Sequence, residues 1–176
     1  MRFIPADVPE GPRARLLALV RAHPGTHLRG IERLSGLPLG QVLYHLDRLE
    51  RMSLIASSRD GGFRRYFATG DIARSEKKYL AALRHEVPMR ILLEILGEPR
   101  LTHKELQARL GVAGSTVSFH LQRLLAAGVL KRERVGVSQE YEIAEPDVLR
   151  RELLAYRESF ALPPTELASV AVPIAL

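Results

Sequence analysis

Ser115, Thr116 and Ser118 stand within four residues of one another, each a short hydroxyl side chain that donates and accepts hydrogen bonds close to its own backbone. Gly40, Gln41 and Leu43 hold the corresponding places 75 positions earlier, and of these only Gln41 offers an amide that can pair with two groups at once. An aromatic follows in each set, Tyr44 and Phe119, and an arginine four residues beyond it, Arg48 and Arg123. Two further cationic groups lie downstream, Arg59, Arg64 and Arg65 in one and Lys131, Arg132 and Arg134 in the other. The chemistry within reach of these sets is recognition by hydrogen bonds, apolar contact and charge-assisted bonds to anionic oxygens. Covalent chemistry has no comparable set. The carboxylates are scattered, no phosphate-binding glycine loop occurs, and no enzymatic role is expected. With no Cys and six His, whose one H-x-x-x-H pair (His23 and His27) straddles Pro24-Gly25, neither a metal nor another cofactor is expected. His45 and His120 sit at the edge of an apolar stripe and read as packed, hydrogen-bonded core histidines.

The two sets belong to an internal duplication. A gapless shift of 75 positions carries Val42, His45, Leu46, Arg48 and Leu49 onto Val117, His120, Leu121, Arg123 and Leu124. It also pairs Arg15 with Arg90, Leu17 with Leu92, Pro24 with Pro99, Gly36 with Gly111, Arg59 with Arg134, Gly61 with Gly136 and Tyr66 with Tyr141. Val42, His45, Leu46 and Leu49 fall at i, i+3, i+4 and i+7, one stripe of a helix spanning Leu39–Met52. Two shorter helices precede it, Arg13–Ala22 and His27–Ser35, and Gly36-Leu37-Pro38 makes the turn. Leu54–Ser57 and Phe63–Ala68 then flank Arg59-Asp60-Gly61-Gly62, a hairpin turn rich in residues that tolerate positive φ.

The second copy repeats the order with a helix at Met89–Leu96, a capping box at Thr102-His103-Lys104-Glu105 and a turn at Gly111. Its third helix begins near Ser115, and its ribbon runs Val129–Val135 and Glu140–Ile143. Asp71–His85 and Asp147–Tyr156 read as extra helices for packing or dimerisation. Met1–Pro12 is an extended lead-in or arm, and Ala161–Leu176 an apolar tail.

The expected fold is mainly α with small β-hairpin wings. The first domain covers 1–70, a connecting helix 71–88, the second domain 89–145, and a helix and tail 146–176. Each domain is near the lower size limit for an unaided core, so the two should pack on each other or on a partner chain. An apolar fraction of 46% with 6% aromatics and no Trp suits an aliphatic core. No apolar run approaches the roughly 20 residues that cross a bilayer, and no signal-peptide layout opens the chain, so an intracellular (cytoplasmic, nucleoid-associated) protein without a membrane partner is expected. The net charge of +6 favours an anionic partner. Residues 1–70 hold 11 Lys/Arg against 6 Asp/Glu, while 89–145 hold 8 against 7, so the first copy is the basic one.

Three helices followed by a hairpin is the winged helix-turn-helix order. In that arrangement the third helix enters the major groove of double-stranded DNA and the wing adds phosphate contacts. The stretches L-S-G-L-P-L-G-Q-V-L-Y-H-L-D-R-L (34–49) and R-D-G-G-F-R-R-Y-F (59–67) resemble the first unit of tandem winged-helix transcriptional regulators common in archaea. L-G-V-A-G-S-T-V-S-F-H-L-Q-R-L-L-A-A-G-V-L (110–130) resembles the second unit, and winged helices of the ArsR/MarR type generally. The resemblance covers about residues 15–145. It implies that residues 40, 41, 43, 44 and 48, and 115, 116, 118, 119 and 123, face DNA. Gly40 and Leu43 depart from it, standing where Ser or Thr is typical, and the Cys motif of the ArsR metal sensors is absent. Tyr44 and Phe119 suit either contact with a thymine methyl or burial against the other repeat or a second subunit. A DNA-binding transcriptional regulator, acting as a homodimer, is the first expectation. A winged-helix protein-interaction module and a sequence-tolerant chromosomal DNA-binding protein are the alternatives. No residue pattern marks an effector pocket.

Overall fold

The computed structural model describes residues 9–60 and 62–160. Residues 1–8 of the expected arm, Gly61 of the first hairpin turn and the apolar tail 161–176 lie outside the described residues. The chain forms two compact units that divide between Ala73 and Arg74.

In the first unit α1 (Pro12–Ala22) starts on a proline, whose missing N–H costs nothing in a first turn. β1 (Thr26–His27), α2 (Leu28–Ser35), α3 (Leu39–Arg51), β2 (Ile55–Asp60) and β3 (Phe63–Ala68) follow. Gly36 ends α2 at φ 67°, a left-handed conformation that glycine adopts without steric cost. The amphipathic stripe is buried as expected. Val42, Leu46 and Leu49 of α3 pack with Leu16, Leu17 and Val20 of α1, Ile31 of α2, Ile55 and Tyr66. His27 caps α2, with Nδ1 accepting from the Gly30 amide at 3.1 Å. That role usually falls to a hydroxyl or carboxylate.

The sheet order is β1-β3-β2, all antiparallel. β1 is the one element of this unit that hydrophobic periodicity does not announce, because two residues are too short to show a period. It makes β3 a central strand, with Thr26 opposite Tyr66 and His27 opposite Arg65.

The second unit repeats the arrangement with additions. It runs α4 (Arg74–Leu83), α5 (Glu86–Gly97), β4 (Leu101–Thr102), α6 (His103–Leu110), α7 (Gly114–Ala126), β5 (Leu130–Val135), β6 (Ser138–Ile143), α8 (Pro146–Ala155) and a closing 3₁₀ turn (Arg157–Phe160). The sheet order is β4-β6-β5. The capping box is formed as expected. Thr102 accepts from the Glu105 amide, and Glu105 accepts from the Thr102 amide at 2.8 Å. α5 starts three residues before the expected Met89, because Pro88 falls in its first turn, where it is tolerated. α4 starts later than the expected Asp71, which instead lies directly after Gly70 and pairs with Arg21 at 3.3 Å.

The two extra helices, α4 and α8, pack together within this unit. Tyr79, Leu80 and Leu83 are buried on α4, and Leu149 and Leu153 on α8. Lys78 donates to the Gly128 carbonyl and to Glu145, both at 2.8 Å, tying α4 to the end of α7 and the start of α8. Burial beside Glu145 pushes the Tyr79 phenol up to about 12, so it stays neutral. Glu76 pairs with Arg151 at 2.5 Å. Glu152, 5% exposed, lies near both.

Burial raises the pKa of Glu152, and the Glu76 charge adds to the rise. A carboxyl with a raised folded pKa adds stability below the unfolded value near 4.3, and that contribution is lost as pH rises through the folded value. Glu152→Gln is therefore expected to raise the urea midpoint at pH 7–8 and to lose the advantage as pH falls below about 5. A gain that persists unchanged at low pH would show that side-chain charge is not its cause.

The duplication also exposes strain. Gly25 and Gly128 have φ of 76° and 66°, but their counterparts 75 positions away are Arg100 and Ser53, at 68° and 57°. A left-handed conformation costs an L-residue roughly 1–2 kcal/mol, partly offset by the chain entropy glycine loses on folding. Arg100→Gly and Ser53→Gly are each expected to stabilise their unit by about 0.5–1 kcal/mol in urea titrations. Arg100 loses only an exposed 3.5 Å pair with Glu133 in the exchange, and such pairs contribute little. A destabilised pair of variants would refute the strain.

Candidate nucleic-acid interface

α7 buries Val117, Leu121 and Leu124 and turns the rest of its surface outward. Ser115 is exposed, Thr116 and Ser118 are half-buried, and Phe119 is 55% exposed. The guanidinium of Arg123 lies 5.7 Å from the Phe119 ring centroid. From Gly114 to Ala126 the helix holds no carboxylate. Burial, with the Arg123 charge, keeps the His120 imidazole below its usual pKa and so neutral at physiological pH. Its ring meets Phe119 edge-on at 5.1 Å. Ser118 Oγ lies 2.9 Å from His103 Nε2, a residue of α6 that was not among the expected site residues.

The second wing sorts its charges by strand alternation. Leu130, Arg132 and Arg134 share one face of β5, opposite Ile143, Tyr141 and Gln139 of β6. Leu130, Tyr141 and Ile143 are buried, so this is the face that the helices cover at its base. Toward the tip it carries Arg132 and Arg134 and no acid. The other face holds Lys131 opposite Glu142 and Glu133 opposite Glu140. Lys131 is thus separated from Arg132 and Arg134 and set among carboxylates. Register pairs Val135 with Ser138, so the loop is only Gly136-Val137, and β6 begins two residues before the expected Glu140. Val137 is 98% exposed at its tip.

In the first unit α3 exposes Gly40, Gln41, Leu43, Tyr44 and Arg48, with Tyr44 66% and Leu43 43% exposed. Tyr44 meets the His45 ring edge-on at 5.1 Å, as Phe119 meets His120. Unlike α7, this helix carries acids. Asp47 pairs with Arg51 at 2.9 Å and Glu50 with Arg64 at 2.5 Å. Arg64 also donates to Ser57 Oγ at 2.8 Å, so its charge is met within the unit although half the side chain is exposed. Arg59, opposite Arg64 in the register, is exposed.

Arg65 is not a surface residue. It is 0% exposed, and Nη1 donates to the Gly25 carbonyl at 2.8 Å. The expectation that it meets DNA is corrected by β1, which pairs with β3 at this point and makes Arg65 part of the sheet interior. The expected hydrogen bond of His45 is corrected too. Its Nδ1 is buried with no hydrogen-bond partner among the described residues.

Among the described residues no group of three or more His, Asp or Glu is placed to hold a metal ion, and no helix is long and apolar enough to cross a membrane. Residues 10–80 match a family model described as an N-terminal HTH domain. Residues 84–131 match the model of a winged helix-turn-helix DNA-binding family. No curated protein matches the chain. Two helix-turn-helix matches in series, on two units that place a hairpin wing directly after α3 and α7, make this a tandem winged helix-turn-helix protein of the DNA-binding kind.

Proposed function

We propose that the chain is a sequence-specific transcriptional regulator with ArsR/MarR-like winged helices, acting as a homodimer, in which the second unit makes the principal contact with duplex DNA. The observation that carries the reading is the lack of carboxylates both along α7 and on the β5 face that bears Arg132 and Arg134. Phosphates repel carboxylates, so a groove-binding helix without them avoids a cost that α3 would incur through Asp47 and Glu50. Ser115, Thr116, Ser118 and Phe119 take the base edges, and Arg123, Arg132 and Arg134 the backbone. Gln41, Arg48 and Arg59 extend the contact from the first unit. Anisotropy titration against random and genomic duplexes at two salt concentrations tests this. Tight binding that selects among sequences is expected. Equal affinity for all sequences would leave a chromosomal protein, and no binding at low salt would end the DNA reading.

A second reading for the first unit rests on the exposed Leu34, Leu43 and Tyr44, beside charges already paired within the unit. That surface suits a protein partner, as in an interaction module. Tyr44→Ala distinguishes the two. An unchanged DNA affinity assigns the face to a protein, and a tenfold loss returns it to DNA.

A further inference from the structure

His103, the first residue of α6, joins the two helices of the second helix-turn-helix. Its Nε2 lies 3.1 Å from the Gly114 carbonyl oxygen and 2.9 Å from Ser118 Oγ. A carbonyl oxygen only accepts, so the ring nitrogen facing it carries the hydrogen. Toward that N–H, Ser118 Oγ is an acceptor, and the hydroxyl hydrogen must point elsewhere. A helical serine commonly turns that hydrogen to the carbonyl four residues back. For Ser118 that carbonyl is Gly114, which accepts from His103 instead. Among the described residues the hydroxyl has no acceptor, and it sits on α7 one turn beyond the exposed Ser115.

The first unit supplies the comparison. A shift of 75 positions turns His103 and Ser118 into Leu28 and Leu43, while Gly111, Val117 and Leu121 become Gly36, Val42 and Leu46. The framework is kept and the pair has changed together, from two polar groups to two apolar ones. Mixing them would set a half-buried polar group against a leucine and leave it without its partner. A joint change of this kind is what two positions tied by one side-chain contact require.

We infer that Ser118 reads a base edge as a hydrogen-bond donor, and that His103 is the positioning residue that gives it that polarity. In the major groove a donor finds N7 and O6 of guanine, N7 of adenine or O4 of thymine, whereas cytosine presents a donor of its own. Ser118 therefore discriminates against cytosine at one position of the site. Leu43, at the same place in the first unit, offers only apolar contact. The inference rests on the DNA-binding reading above.

Selection from a randomised duplex library, with urea unfolding alongside, tests it on the full chain. Wild-type protein is expected to select a site. Ser118→Ala relaxes discrimination against cytosine at one position by roughly 3- to 10-fold, and His103→Ala relaxes the same position. The double variant is no worse than Ser118→Ala alone. His103→Gln, whose amide can donate to the same two oxygens, retains the preference. Should His103→Ala fail to fold, preference kept by His103→Gln and lost by Ser118→Ala still sustains the assignment. Unaltered preferences in Ser118→Ala, or relaxation at different positions by the serine and histidine variants, overturn it. A wild-type protein that binds no duplex removes the DNA reading itself, and that result is seen before any variant is made.

Discussion

Arg65→Ala lowers the stability of the first unit by about 2–4 kcal/mol and leaves the salt dependence of DNA binding where it was. The guanidinium is fully enclosed and donates to the Gly25 carbonyl, a group at the left-handed turn before β1. Truncation leaves that buried acceptor short of a donor and opens a cavity the size of a long side chain; losing the cost of burying a charge offsets part of the effect. Arg64→Ala, one residue away, removes a half-exposed pair with Glu50 and is expected to cost under about 1 kcal/mol. Urea titration gives the stabilities, and DNA titrations at several salt concentrations, well below the unfolding midpoint, give the slope. An unchanged midpoint for Arg65→Ala, or a slope that flattens, would return Arg65 to the surface and undo the role given to β1.

Arg65 also shows what hides a site residue from a sequence reading. Three arginines on one hairpin look alike as a string, and their fates diverge through pairing partners remote in the chain. Arg64 meets Glu50 of α3, Arg65 meets Gly25 before β1, and Arg59 stays exposed. Periodicity exposes local elements such as the stripe of Val42, Leu46 and Leu49, because a helix writes its buried face into one window. Spacing was likewise enough for the Thr102–Glu105 capping box. A two-residue strand has no such window. His27 as a helix cap escapes for another reason, since histidine lacks the capping statistics of Thr102, its counterpart in the duplication. The His103–Ser118 pair was within reach, since the duplication aligns it with two leucines. Its meaning needed the distance between the side chains.

The division of the second wing into a cationic and an acidic face leads to the other large effect. Arg132→Ala together with Arg134→Ala is expected to weaken binding by about 10- to 100-fold near physiological salt and to reduce the slope of log affinity against log salt by about 2. Each phosphate contact releases close to one counterion from B-form DNA, so two lost contacts remove about 1.8 from the slope. Lys131→Ala, on the face with Glu133, Glu140 and Glu142, is expected to change the slope by well under 1 although Lys131 is equally exposed. Total charge alone predicts the same loss per cation, so the comparison separates net charge from placement. Equal effects of Lys131→Ala and Arg132→Ala would mean that the alternation of β5 does not set the DNA-facing side. A slope that survives the double substitution would move the phosphate contacts to Arg123 of α7 or to Arg48 and Arg59 of the first unit, and in the second case the principal contact with them.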